Sequence, residues 1–212
     1  MAARVGVRLP RREWAPTVVL LVALGGLFAL YGPLNRGPAR WSARTPLDER
    51  IPLVEEMVVP YVSALALGPL TLVLFLVTAP RLARSALVAG VVLLLVAYLF
   101  YVFAQTRMER PPVTGDDVFS ATLRLVYGTD GAYNCFPSLH TGFSLIMAVH
   151  WVRYHRRVGV WVAGWCVLIM VSTLLVRQHY LADLVAGLVV AGLACGVGAR
   201  VTGQGVRSAS TS

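Results

Sequence analysis

Two histidines carry the chemistry this sequence can do, and each stands in polar company inside an otherwise apolar chain. His179 lies in the run Arg177-Gln178-His179-Tyr180-Leu181-Ala182-Asp183, with Asp183 four residues later. Residues four apart share a face of a helix. The carboxylate is therefore expected to accept from one imidazole nitrogen, fix the tautomer and leave the other nitrogen basic. His140 closes the run Asn134-Cys135-Phe136-Pro137-Ser138-Leu139-His140. Proline suits the first turn of a helix, where its missing N–H is not needed. The N–H groups of Ser138, Leu139 and His140 are then expected to stand free at a helix N-terminus and form an anion site. A third run, Gln105 to Pro112, holds Arg107 and Arg110, and a guanidinium there can set a planar donor fork against phosphate oxygens. Two His, an Asp, an Arg and a helix N-terminus describe a phosphoryl-transfer site that uses no metal and no cofactor.

Other chemically capable residues read as structural. His150 and His155 lie near the far end of their apolar runs and are expected to be packed or interfacial. Asp116 and Asp117 have no third ligand in a fixed pattern and read as a helix cap or a solvated loop. Asn134 reads as a turn residue. The three cysteines, Cys135, Cys166 and Cys195, are scattered, which is neither a disulfide framework nor a zinc pattern.

The elements that position these groups must be membrane helices. Hydrophobic types make up 57% of the 212 residues and charged types 14%, and the mean hydropathy is +0.69. Soluble domains carry about 25% charged residues, so this chain cannot cover a globular surface with charge, and it is too apolar for disorder. The net charge is +9, and all 19 basic residues are Arg. They fall in short clusters between apolar runs, which speaks for a polytopic membrane protein and against a nucleic-acid partner. Six runs approach the ~17–25 residues that cross a bilayer: Pro16–Tyr31, Val58–Ala79, Ser85–Ala104, Pro137–Val152, Val158–Val176 and Leu181–Ala199. The fourth is short, and Pro60 and Pro69 predict a kink in the second. The fold expected is all-α, a six-helix membrane bundle over 16–202, between a basic leader at 1–15 and a disordered Gly/Ser-rich tail at 203–212.

With the N-terminus inside, eleven of the 19 Arg fall on the inner side and nine of the ten acids on the outer side. The positive-inside rule then puts both termini in the cytoplasm and the three polar runs on the outer face. Trp41–Met57 reads as an outer interfacial segment. Asp116 and Asp117 are expected to cap a short helix running to Tyr127, with Val118, Phe119, Leu123 and Val126 on its apolar side, and Gly128–Asn134 to form a turn.

Pro137-Ser138-Leu139-His140 followed by His179-x3-Asp183 resembles the type-2 phosphatidic acid phosphatase superfamily, which shares its core with vanadium haloperoxidases. The Phe-Pro-Ser-Leu-His and Gln-His-Tyr-x-x-Asp forms are similar to the inositol phosphorylceramide synthase-like branch. The resemblance implies that His179 takes the phosphoryl group, Asp183 orients it, His140 protonates the leaving oxygen, and Arg110 and the Ser138 region bind phosphate. Two positions depart from the pattern. Phe103 stands where the first motif has Lys, and Thr173 where the third has Arg; Arg107 and Arg177 are candidate replacements. The activity implied is that of a membrane lipid phosphate or pyrophosphate phosphatase. The alternatives are a phosphotransferase that moves a phospho-headgroup to a lipid hydroxyl, and a non-catalytic transporter or scaffold. A metal-dependent CDP-alcohol phosphotransferase is set aside, because Asp130-Gly131 is the only fragment of its aspartate pattern.

Overall fold

Each expected apolar run becomes a helix in the computed structural model, which describes residues 14–39 and 41–203. The first thirteen residues of the basic leader, Arg40 and the tail beyond Gly203 lie outside the described residues. The helices are α1 (Trp14–Leu34), α2 (Val58–Thr78), α3 (Pro80–Phe103), α4 (Val118–Thr129), α5 (Leu139–Tyr154), α6 (Arg156–Leu175) and α7 (Leu181–Val201). Among the described residues there is no β-strand, only isolated bridges of Trp41 with Thr106 and Arg107 with Tyr133. Five helices are long and apolar enough to cross a membrane: α1, α2, α3, α6 and α7. The remaining expected span, α5, has 16 residues. This is the architecture of an all-α, multi-pass membrane protein.

Helices α3, α5 and α7 form the centre. Ala89, Leu93, Leu94 and Ala97 of α3 meet Leu139 and Ile146 of α5 and Ala191, Ala194 and Cys195 of α7. Lipid tails are as apolar as leucine, so helices in a membrane gain more from close packing than from burying apolar surface, and small residues permit that. Gly198 shows the constraint: a Cβ there would lie 2.4 Å from the Ser85 carbonyl oxygen of α3. Helix α5 is ringed by α2, α3, α6 and α7. That enclosure lets it carry Thr141, Ser144 and His150, all buried, where lipid contact would make polar groups costly. His150 bridges the Ile146 carbonyl (Nδ1, 2.7 Å) and the Ser85 hydroxyl (Nε2, 3.1 Å), a packed role as expected. The periphery is apolar and outward-facing, with Val22, Leu65, Val77, Trp161 and Leu193 all well exposed.

Helix α2 runs unbroken past both prolines. Pro60 falls in its first turn, where no intrahelical donor is required. Helix α4 is capped as expected, the Asp117 carboxylate accepting from the Phe119 and Ser120 amides at 2.7 and 3.1 Å. Hydrogen bonds from Ser120 and its neighbour amides hold the Asp117 carboxyl below its usual range. The buried face of α4 differs by one position from the expectation. Phe119, Leu123, Val126 and Tyr127 pack onto Val58, Tyr61 and Val176, whereas Val118 is exposed. The spacing from Phe119 gives one helical stripe at i, i+4, i+7 and i+8, and Val118 is about 100° off it.

The links at one end of the bundle are minimal: Ala79 alone joins α2 to α3, and His155 alone joins α5 to α6. All the long connections lie at the other end, and they interlock. Gln105 Nε2 donates to the Leu34 carbonyl at the end of α1 (2.7 Å). The Val54 amide donates to the Leu175 carbonyl at the end of α6 (2.9 Å), and Ser138 N to the Asp183 carbonyl (3.1 Å). The three polar runs therefore share one end of the bundle.

Candidate functional site

His179 and Asp183 meet, but not on one helix face. Helix α7 begins at Leu181 with Tyr180 as its N-cap, so His179 precedes the helix. The contact comes from the cap instead. Asp183 is the third helical residue, and its Oδ2 folds back to accept from the Tyr180 amide at 2.8 Å. The same oxygen lies 3.5 Å from His179 Nδ1. A carboxylate here also faces the positive end of the helix dipole. Asp183 is fully buried, and its Oδ1 has no partner among the described residues.

His140 is the second residue of α5, and its ring centroid lies 6.3 Å from that of His179. Its plane is set by Tyr61 of α2, which stacks on it at 4.3 Å and 23°. The start of α5 corrects the expectation for Pro137 and Ser138. Pro137 stands two residues before the helix, and Ser138 is the N-cap. The Ser138 hydroxyl accepts from the Thr141 amide at 3.3 Å. Its own N–H is not free: it donates to the Asp183 carbonyl and ties the starts of α5 and α7 together. The amides left for an anion are those of Leu139 and His140, which have no intrahelical acceptor in a first turn. The approach of the two helices is tight enough that a Cβ on Gly187 would lie 2.7 Å from the Ser138 carbonyl oxygen.

The arginines are committed to loops. Arg110 Nη1 donates to the Tyr127 (3.2 Å) and Asp130 (2.7 Å) carbonyls, and Nη2 to the Gly131 carbonyl (3.1 Å) and Gln178 Oε1 (2.5 Å). Its plane also lies over the Tyr127 ring, 4.8 Å from the centroid. All four terminal N–H bonds are therefore used within the chain, and the fork expected to face phosphate instead braces the loop after α4. Only the buried Nε is without a partner. Arg177, with a left-handed φ of 51°, donates to the Asp48 carbonyl at 2.9 Å and to the Ile51 carbonyl. Arg107 is exposed. Phe103, at 81% exposure, turns outward from the bundle. Thr173 is buried, its hydroxyl donating to the Met170 carbonyl at 2.7 Å.

Three further residues belong to this end of the molecule. Asp48 is 1% exposed: Oδ1 accepts from the Leu181 amide at 2.8 Å and Oδ2 from the Thr45 amide and hydroxyl at 2.7 and 2.6 Å. It caps α7 from a distant loop. Asp130 accepts from Asn35 Nδ2 at 2.7 Å and the Tyr31 hydroxyl at 3.2 Å, clasping the end of α1 to the site. Burial holds its carboxyl above the usual range, with Arg110 pulling the other way. Tyr61 is the third. Asp48 shares its loop with Glu49, Glu55, Glu56 and four Arg, so nothing local singled it out; an aromatic near a span end reads as belt decoration, which concealed Tyr61. Burial also pushes the Cys135 thiol up, away from a reactive thiolate. Among the described residues no three His, Cys, Asp or Glu side chains gather as a metal-ligand set.

Neither a curated protein nor a solved structure matches the chain. The sequence profile of the PAP2 superfamily does, over residues 47–197, a stretch that takes in Asp48, Tyr61, Arg110, His140, His179 and Asp183 and begins after α1. This multi-pass membrane protein, with two histidines and a buried aspartate gathered at one end of its bundle, belongs to the PAP2 (type-2 phosphatidic acid phosphatase) superfamily.

Proposed function

We propose that the protein is a lipid phosphate or lipid pyrophosphate phosphatase that works through a phosphohistidine on the outer face of the membrane. The observation that carries this reading is the placement of His179 Nδ1 3.5 Å from Asp183 with the His140 ring 6.3 Å away. Asp183 Oδ2 stands 3.5 Å from Nδ1 and favours the proton there, so that in the proposed mechanism Nε2 carries the lone pair. That nitrogen attacks phosphorus in line as the bond to the lipid oxygen breaks, and His140 gives the leaving oxygen its proton. Neutral His140 then takes a proton from water, whose oxygen attacks the phosphohistidine and releases phosphate. Leu139 and His140 amides and the Arg110 Nε–H stabilise the charge on the phosphoryl oxygens. Water is favoured over a lipid hydroxyl as acceptor because it requires no second substrate pocket.

The test is phosphate release by pure protein in detergent from a panel of labelled lipid phosphates and pyrophosphates, with products separated by thin-layer chromatography. Release should persist in excess EDTA and be inhibited by vanadate, which imitates the pentacoordinate phosphoryl state. Complete loss in EDTA with rescue by magnesium overturns the mechanism. A product carrying the headgroup on an added lipid alcohol moves the protein to the phosphotransferase class.

Arg110→Lys should not be conservative, since one ammonium cannot serve four acceptors on the last turn of α4, the loop after it and the loop before α7. We expect a fall in kcat/KM of about 10²-fold, comparable to losing one preorganised donor. Near-wild-type kinetics would show that the brace is dispensable.

The outer location rests on charge. Arg81 lies in the first turn of α3 with Arg84 just after it, and Arg156 and Arg157 lie in the first turn of α6. Cations are unfavourable at a helix N-terminus, so the helix dipole does not account for them, whereas a cytoplasmic location does. In a Cys135→Ser background, Asp116→Cys should react with a membrane-impermeant maleimide in intact cells. Labelling only after lysis would place the site inside.

A further inference from the structure

Gln178 immediately precedes His179 and is 3% exposed. Its backbone N–H and that of His179 both donate to the Thr173 carbonyl, at 2.9 and 3.2 Å, so the two residues are held by one turn. The orientation of the Gln178 carboxamide is dictated by chemistry. Its neighbour at 2.5 Å is Arg110 Nη2. A guanidinium has only donors, so the carboxamide must present its oxygen to Arg110. The NH2 group is thereby turned away from Arg110. It is buried and has no acceptor among the described residues. Buried donors are rarely left in that condition, and one that is calls for an explanation such as a ligand or a catalytic role.

The neighbouring groups point to the ligand. Arg110 Nε and Asp183 Oδ1 are also buried without partners, and Asp183 Oδ2 lies 3.5 Å from His179 Nδ1. Arg110 touches Gln178, Gln178 adjoins His179, and His179 adjoins Asp183. Meanwhile the cations near the site are spent: the forks of Arg110 and Arg177 are held by loop carbonyls, and Thr173 turns its hydroxyl to Met170. A phosphoryl group with three oxygens needs donors that these groups do not supply.

We propose that Gln178 Nε2 donates to a non-bridging oxygen of the transferring phosphoryl group, so that a neutral carboxamide, aimed by Arg110, does the work of a phosphate-binding cation. This rests on the phosphatase reading of the same site. Two variants separate donor from acceptor. Gln178→Glu keeps an oxygen for Arg110 and deletes the donors; Gln178→Leu deletes both and adds no charge. Vanadate affinity is read by thermal shift of the pure protein, beside kcat/KM for a lipid phosphate. Both variants should bind vanadate at least ten-fold more weakly, and kcat/KM should fall by about 10²-fold, with the ligand-free Tm of the Glu variant near wild type. If only Leu is impaired, Gln178 is merely an acceptor for Arg110 and the proposal fails. If only Glu is impaired, added charge is the cause and it fails likewise. Wild-type affinity in both variants also overturns it. Should the wild type hydrolyse no lipid phosphate, the phosphatase reading falls, while the vanadate comparison still decides whether Gln178 serves an oxyanion.

Discussion

Replacing His179 by alanine should abolish turnover of every phosphate ester offered, whatever its leaving group. In the proposed mechanism this side chain forms the bond to phosphorus, and no neighbour can take its place. His140 is stacked under Tyr61 on a different helix, and the Cys135 thiol is held protonated by burial. The rate should therefore fall to the background of the assay. Asp183→Asn should retain a residual rate, because His179 stays present but loses the carboxylate that selects its tautomer. That variant also disturbs the α7 cap, since Asp183 Oδ2 accepts from the Tyr180 amide, so Tm must be measured beside activity. A His179→Ala protein that still releases phosphate from any ester removes the phosphohistidine from the mechanism.

His140→Ala should fail selectively. A lipid alkoxide is a poor leaving group, and general acid assistance is typically worth 10²–10⁴-fold. A nitrophenolate leaves without a proton. The variant should therefore lose lipid phosphate hydrolysis by about that factor while keeping far more of its rate on nitrophenyl phosphate. The ratio of the two rates is the informative quantity, because a general loss of folding lowers both alike. If His179→Ala spares the nitrophenyl substrate and His140→Ala does not, nucleophile and acid have been exchanged.

The helices and the one-ended gathering of polar runs could be read from the chain before any coordinates, because both follow from periodicity and from the cost of polar groups in lipid. The local geometry could not. His179 and Asp183 at i and i+4 fit a shared helix face, yet the same spacing serves a residue before an N-cap and the carboxylate that closes the cap. Only the position of the helix start, at Leu181, decides between them. Arg110 looked like a phosphate fork because the carbonyls of Tyr127, Asp130 and Gly131 come from the end of α4 and the loop after it, some twenty residues away. Backbone acceptors leave no mark in a sequence, so their competition for a guanidinium is invisible there. Tyr61 was missed for a related reason: its partner is 79 positions further along, and no local pattern links them.

The shortness of α5 has a consequence for the membrane itself. Sixteen residues at about 1.5 Å each make a rod of about 24 Å, whereas the hydrocarbon layer is about 30 Å thick. The surrounding helices have 20 to 24 residues and match that layer. Helix α5 is thus shorter than the layer that its neighbours match. Under the proposed function, that shortfall is met by thinning of the bilayer beside α5 or by movement of the lipid phosphate toward His140, and hydrophobic mismatch sets the cost of either. In the proposed reaction, acyl-chain length in the host membrane is then a variable of turnover as well as of folding.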